Sequence, residues 1–439
     1  MDNERIKDFI HDYYNPLLKN SLKERLHTES VGRGRNPHQR DYSRILYSSS
    51  FRRLQGKMQL LGVQHDKFYR NRLTHSLEVS QIARGIAERL REVSGCEEVY
   101  KNDSYVIEAA ALAHDIGNAP FGHHGERILN KIMEKDGGFE GNAQTLRVLN
   151  KLEKKLPNQK GLNLTKRTLL SVVKYYNTKG LNNEKFIYDE DYKIIKNISE
   201  SENVNPRTID VQIMDLADEI AYGAHDLEDA LSLNLFTIDE FLYEFQIGED
   251  VTESAIDTLK SLIDAAKEVA NRASNYNSSE EYAFLFRKEL ISNIVNKLIL
   301  DIDVVPVTSK LREETGTMNN HELGFKKHKN FAKSLKKLTF KCINRSNIVQ
   351  IYEKQGEKII KGLFEAFMDD KFNKDRKLLP KEFRSEDNRA RAVTDYIAGM
   401  MDSYAIKVYQ DIFGESALDR IYELKYFMGY NFDKFNSEK

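Results

Sequence analysis

His114 is followed directly by Asp115 at the end of an apolar run, Val106-Ile107-Glu108-Ala109-Ala110-Ala111-Leu112-Ala113. An adjacent imidazole and carboxylate can close on one divalent cation. His75 lies upstream, Asp218 lies downstream, and the segment after Asp115 is rich in glycine and histidine: Gly117-Asn118-Ala119-Pro120-Phe121-Gly122-His123-His124-Gly125-Glu126. Two imidazoles and two carboxylates make a nitrogen and oxygen set that leaves positions open for water and for a phosphate oxygen. The residues therefore describe a metallohydrolase centre with one divalent ion per site. Mn²⁺ or Mg²⁺ is the first expectation, and Fe²⁺, Co²⁺, Ni²⁺ and Zn²⁺ are chemically admissible. The only cysteines, Cys96 and Cys342, are too few for a thiolate site or a disulfide framework.

Helices must position these groups. His75, Val79, Ile82, Ile86 and Leu90 recur at steps of four, three, four and four, so His75 shares the apolar face of one helix. Ile107, Ala111 and His114 place His114 at an inward-facing helix end, with Gly117 read as the stop signal. A third helix carries the apolar stripe Ile209, Ile213, Leu216, Ile220, Leu227 and Leu231. At 100° per residue, Asp215, Asp218, Tyr222 and Asp226 fall within a separate sector of roughly 80°, the pattern of a cleft wall.

The strings Arg72-Leu73-Thr74-His75-Ser76-Leu77-Glu78-Val79, His114 to His123, and Leu216-Ala217-Asp218-Glu219-Ile220-Ala221-Tyr222 resemble the HD-domain superfamily. More narrowly, with Phe51 to Gln59, Phe139 to Gln144 and Arg391 to Asp402, they resemble the bacterial dGTPase type of deoxynucleoside triphosphate triphosphohydrolase. The resemblance runs from about residue 40 to 415. It implies hydrolysis of a dNTP to deoxynucleoside and inorganic triphosphate, with a metal-activated water attacking the α-phosphorus. It maps the ligands onto His75, His114, Asp115 and Asp218, with Asp215 as the alternative on the third helix. It assigns proton handling to His123, which Glu126 three residues on can orient, and makes His124 the weaker choice. It places Arg72 on phosphate, Tyr222 and Asp226 on the sugar, and Gln59 and Asn142 at the site's edge. In the family it resembles, some members carry a histidine where Asn118 stands and a lysine where Glu219 stands, and this chain has neither. Those phosphate contacts must come from elsewhere, and Arg287 is one option. Another HD phosphohydrolase, acting on a nucleoside monophosphate or a guanosine alarmone, would release a different product. A regulator with a vestigial site would have lost a ligand or the histidine loop, and neither is lost.

Around the centre, 439 residues with seven prolines predict an all-α chain with a C-terminal helical subdomain and one short β-hairpin, placed in the polar stretch from Asn177 to Asn205. The expected division is 1–70, a helical and basic segment contributing to site and interface; 71–235, the metal-binding core; and 236–439, a C-terminal helical region with a soft boundary near 300. With 67 basic against 68 acidic residues there is no global field for a polyanion. Residues 326 to 345 nevertheless hold eight basic residues and no acid, and Arg33, Arg35, Arg40, Arg44, Arg52 and Arg53 form a second basic region. These leave open a regulatory nucleotide, single-stranded DNA or a subunit contact, with a solvated helix face as the bland alternative. A homo-oligomer, hexamer or tetramer, is expected from the resemblance. No segment approaches the ~20 apolar residues that span a bilayer, and no apolar signal core opens the chain, so the expected setting is cytoplasmic, away from membranes.

Overall fold

The structure is a computed structural model that describes residues 2–29, 34–59, 70–275 and 278–414. Among the described residues the regular elements are nineteen α-helices, one two-stranded sheet, four 3-10 turns and one π turn. The N-terminal segment contributes α1 (Asp2–Tyr13), α2 (Pro37–Leu46) and α3 (Ser49–Arg53). Asn36 caps α2 by accepting from the His38 amide, and Pro37 fills the first turn, where no amide is needed. The core follows with α4 (Arg72–Ser94), α5 (Tyr105–Ala113), α6 (Gly122–Ile132), α7 (Gly141–Arg147), α8 (Lys166–Leu170), α9 (Asp189–Glu202) and α10 (Ile209–Ser232). Asn71 caps α4 through the Thr74 amide, and Gly95 ends it at φ 66°, a left-handed stop that glycine adopts without strain. Next come α11 (Ile238–Gln246), α12 (Glu253–Ala270) and α13 (Ser279–Leu300), then strand β1 (Ile302–Pro306), α14 (Ser309–Thr315) and β2 (His321–Phe325). The strands pair antiparallel with Val304 opposite Leu323. The described chain closes with α15 (Lys329–Ile343), α16 (Asn347–Met368), α17 (Lys381–Arg384), α18 (Arg389–Ala398) and α19 (Asp402–Phe413).

Two apolar clusters hold these helices. The larger joins α1, α4, α5, α10 and the α12 to α15 region through residues such as Ile82, Ile86, Leu112, Ile213, Ile220 and Leu335, all at most 1% exposed. The smaller joins Ala119, Phe121, Ile128, Leu129 and Phe139 to Ile360, Leu363, Phe367, Val393 and Ile397. Helix α6 therefore packs with the C-terminal helices, although only eight residues separate its start from Ala113, the last residue of α5.

Two sequence expectations need correction. The stretch from Asn177 to Asn205 holds helix α9 in place of a hairpin, because Tyr192, Ile195 and Ile198 line one buried side and Asp189, Glu190 and Asp191 favour a helix start. The hairpin is β1 and β2, interrupted by α14. Gly117 is not a helix stop either: α5 ends at Ala113, and a Cβ on Gly117 would lie 2.2 Å from the Thr145 amide and 2.3 Å from the Gly141 carbonyl. Glycine is needed there for close approach of α7.

Candidate metal centre

Helix α4 delivers His75, the turn after α5 delivers His114 and Asp115, and α10 delivers Asp218. Ligand atoms of His75, His114 and Asp218 all lie within 4.8 Å of one another. Asp218 Oδ1 is 3.1 Å from His75 Nε2 and 3.5 Å from His114 Nε2, and Asp115 Oδ1 is also 3.5 Å from His114 Nε2. Three of the four groups named from the sequence thus meet, and Asp115 joins them through its contact with His114.

The two imidazoles differ. His114 Nδ1 lies 2.6 Å from the Ala111 carbonyl, which can only accept, so Nδ1 carries a proton and Nε2 is the nitrogen that faces the carboxylates. That Nε2 is buried and has no hydrogen-bond partner. A buried nitrogen facing two carboxylates is what a divalent cation requires, so the residues fit the metal. Charge agrees with geometry. Burial opposes a positive His114, yet Asp115 and Asp218 outweigh it and raise the imidazole to about 9, so without a cation Nε2 takes a proton, and a divalent ion bound there would replace that charge. His75 Nδ1, by contrast, lies 2.7 Å from Arg70 Nη2, which can only donate. Its proton therefore sits on Nε2, toward Asp218, and ligation through Nε2 requires the other tautomer and the loss of the Arg70 bond.

Lys174 and Arg72 balance the carboxylates. Lys174 Nζ lies 3.0 Å from Asp218 Oδ2 and 2.8 Å from Asp215 Oδ1. Burial would raise the Asp218 carboxyl, but Lys174 and then His114 hold it well below the usual range. Asp215 is engaged by Lys174 and by Arg207 at 2.7 Å, so Asp218 is the helix α10 carboxylate in the cluster. Arg72 donates to Asp115 Oδ2 at 2.5 Å, and Asn118 donates to Oδ1 at 2.6 Å. The Arg72 Nε is buried without a partner, leaving one donor of the guanidinium unused.

The remaining predicted residues surround this cluster. His123 is half-exposed with Nδ1 3.1 Å from Glu126 Oε2, and the Gly141 amide donates to Glu126 Oε1 at 2.5 Å. Burial pushes the Glu126 carboxyl up, but the His123 and Gly141 bonds prevail and keep it low. His124 turns the other way, toward Glu353 and Glu357 at 3.7 and 3.5 Å. Asn142 donates to Glu140, the cap of α7. Gln59 ends a described segment with its Oε1 buried and unpartnered. Asp226 is 1% exposed and accepts from Arg70 at 2.5 Å, while its Oδ2 has no partner. Arg287 is half-buried on α13, and no contact ties it to the cluster among the described residues.

Sequence reasoning missed Lys174, Arg70, Lys57 and Lys336. The ammonium of Lys336, on α15, sits 4.6 Å above the Tyr222 ring, while in the same basic stretch Lys337 pairs with Asp250, and Lys341 and Arg345 pair with Glu244. Apolar neighbours Phe331, Leu335 and Leu338 bury that helix and aim Lys336 at the cleft. In the second basic region, Arg40 and Arg44 are spent on Glu29, and Arg33 lies outside the described residues.

Comparison with known proteins places these features. The HD domain model matches residues 72–223, and the phosphohydrolase-associated domain model matches residues 326–411. The chain is 47% identical over 424 residues to deoxyguanosinetriphosphate triphosphohydrolase-like protein 2 of Vibrio cholerae, covering 96% of this chain and all of that one. It is 36% identical over 451 residues to the deoxyguanosinetriphosphate triphosphohydrolase-like protein of Shewanella sp. (strain ANA-3), covering 90% and 96%. A similar protein of Shewanella sediminis is 35% identical over 435 residues, covering 87% and 93%. A cluster of two histidines and an aspartate on helices matched by the HD model, with relatives aligned nearly end to end, makes this chain a phosphohydrolase of the HD-domain family of deoxyguanosinetriphosphate triphosphohydrolase-like proteins.

Proposed function

We propose that the protein hydrolyses a deoxynucleoside triphosphate, dGTP or several dNTPs, to the deoxynucleoside and inorganic triphosphate. The observation that carries this reading is the pairing of a half-exposed His123 with the half-buried Glu126, next in the chain to a candidate metal cluster whose His114 Nε2 is unpartnered. His75, His114, Asp115 and Asp218 would hold the ion, which when bound lowers the pKa of a water and polarises phosphorus.

The reaction joins a water oxygen to the α-phosphorus, breaks the bond from phosphorus to O5′ and delivers a proton to O5′. His123 is the group for that proton. Its Nδ1 is held by Glu126, so Nε2 is the end left to face substrate, and the Glu126 carboxylate orients the ring. Arg72, with an unused Nε, and Lys336, over Tyr222, supply positive charge for the phosphates that Asn118 and Glu219 do not offer. Tyr222 and Asp226 form the sugar end. A ring packed at C2′ leaves no room for a hydroxyl, and the unpartnered Asp226 Oδ2 is an acceptor for the 3′-OH.

The test is incubation of pure protein with each dNTP and with GTP, in Mn²⁺ or Mg²⁺, with ion chromatography of the products. Equal amounts of triphosphate and deoxynucleoside are expected. Phosphate or pyrophosphate instead would move the chain to another HD reaction, and turnover only from dNTP mixtures would reveal a nucleotide activator. The names of the relatives support a deoxyguanosine nucleotide among the substrates.

A further inference from the structure

Between the metal cluster and His123 runs the loop from Asn118 to Phe121, and the groups that grip it come from outside the metal-binding helices. Asp402, at the start of α19 and 2% exposed, accepts from the Phe121 amide through Oδ1 at 3.0 Å. Its Oδ2 accepts from the Met58 amide at 2.9 Å and from the Tyr352 hydroxyl of α16 at 3.1 Å. One carboxylate therefore ties together the segment that carries Gln59, the residue that precedes helix α6, and the C-terminal helices. Lys57, also 2% exposed, donates from Nζ to the Asn118 carbonyl and, at 2.6 Å, to the Ala398 carbonyl at the end of α18. The loop is thus held at a carbonyl and at an amide by two buried, oppositely charged side chains.

The loop needs such a grip. Phe121 sits at φ 63°, a left-handed conformation that a bulky residue keeps only when its surroundings over-determine it. Its ring packs edge-on against Tyr352 at 5.5 Å, and Gly356 gives it room, since a Cβ there would lie 2.6 Å from the ring. Helix α6, which starts at Gly122, takes its direction from this residue. None of the hydrogen bonds of Asp402 reaches His75, His114, Asp115 or Asp218.

We propose that Asp402, seconded by Lys57, is a positioning residue: it fixes the loop from Asn118 to Phe121 and thereby sets His123 against the metal cluster, so that the phosphohydrolase-associated segment completes the active site. This rests on the reading of His123 as the proton-handling group. The conformational part does not.

The experiment compares the full chain with its Asp402→Asn, Asp402→Ala and Lys57→Met variants. Asparagine keeps one acceptor oxygen, so it preserves part of the grip. Hydrogen–deuterium exchange should rise about tenfold or more in peptides covering 116–123 and stay unchanged in those covering 73–83 and 209–220. Mn²⁺ affinity measured by calorimetry should stay within about twofold. With dNTP, kcat should fall by about 10² in Asp402→Ala and less in Asp402→Asn, while KM moves by less than about threefold, because misplacing a reacting group by about 1 Å costs that much. Unchanged exchange in 116–123 overturns the proposal. So does a rise spread over the whole chain with loss of Mn²⁺ binding, which would make Asp402 a general stabiliser. If the wild-type chain releases no triphosphate, the proposed reaction fails, and the exchange and Mn²⁺ arms still decide the role of Asp402.

Discussion

His75 and His114 are equivalent on paper and different in the fold, because Ala111 offers one an acceptor and Arg70 offers the other a donor. In the proposed metal centre His114 is the preset ligand. His114→Ala should abolish Mn²⁺ binding in a calorimetric titration, and Arg70→Met should tighten that binding by freeing His75 to change tautomer. Weaker binding in Arg70→Met would show that the arginine supports the ligand. Glu126→Gln keeps an acceptor for Gly141 but removes the charge beside His123. It should lower kcat by about 10²-fold without changing Mn²⁺ affinity. Lys336→Ala should instead raise KM for the nucleotide about tenfold at nearly constant kcat, since it removes a charge from the cleft and no reacting group. That His75, His114 and Asp218 would come together was legible because metal chemistry restricts candidates to a few residue types and the helical spacing turned them inward. Their counter-charges were not: Lys174 lies 44 residues before Asp218, and nothing in local pattern distinguishes it from a solvated lysine.

At the scale of elements, α4 and α10 could be read directly, since an apolar stripe of period 3.6 states both the helix and its buried side. Helix α9 was obscured by polar residues that surround a short buried stripe, and the hairpin was misplaced because β1 and β2 are separated by α14. The role of Gly117 was invisible, because it depends on α7, a helix that begins 24 residues later. Gly117→Ala should therefore behave as overpacking against backbone. A loss of about 3 kcal/mol in denaturant unfolding is expected, with weaker Mn²⁺ binding because the turn bearing His114 and Asp115 must shift. A neutral effect on both would mean that α7 moves aside freely.

Across the whole molecule, the larger core encloses a charged knot. Arg167, 1% exposed, bonds Asp210 and Asp103, with Tyr14, Tyr100, Asp41, Thr165 and His38 around it. Burial first, and Arg167 second, lower His38 to about 4. The folded chain then keeps His38 neutral where an unfolded histidine, near pKa 6.5, takes a proton. Stability from this group is intact above about pH 6.5 and declines as pH falls toward 4, by about 3 kcal/mol in all. His38→Gln should flatten the fall of Tm across that window, and an unchanged slope would assign it to other groups. The second cluster was not legible at all, since it unites residues 119–139 with residues 359–405. That union also orders events in time. A ribosome delivers the last of the metal-binding residues at Asp218, but α6 waits for more than a hundred further residues before its apolar face is covered. On a growing chain the apolar face of α6 is therefore covered only after the larger core, which runs to Val349, has been delivered.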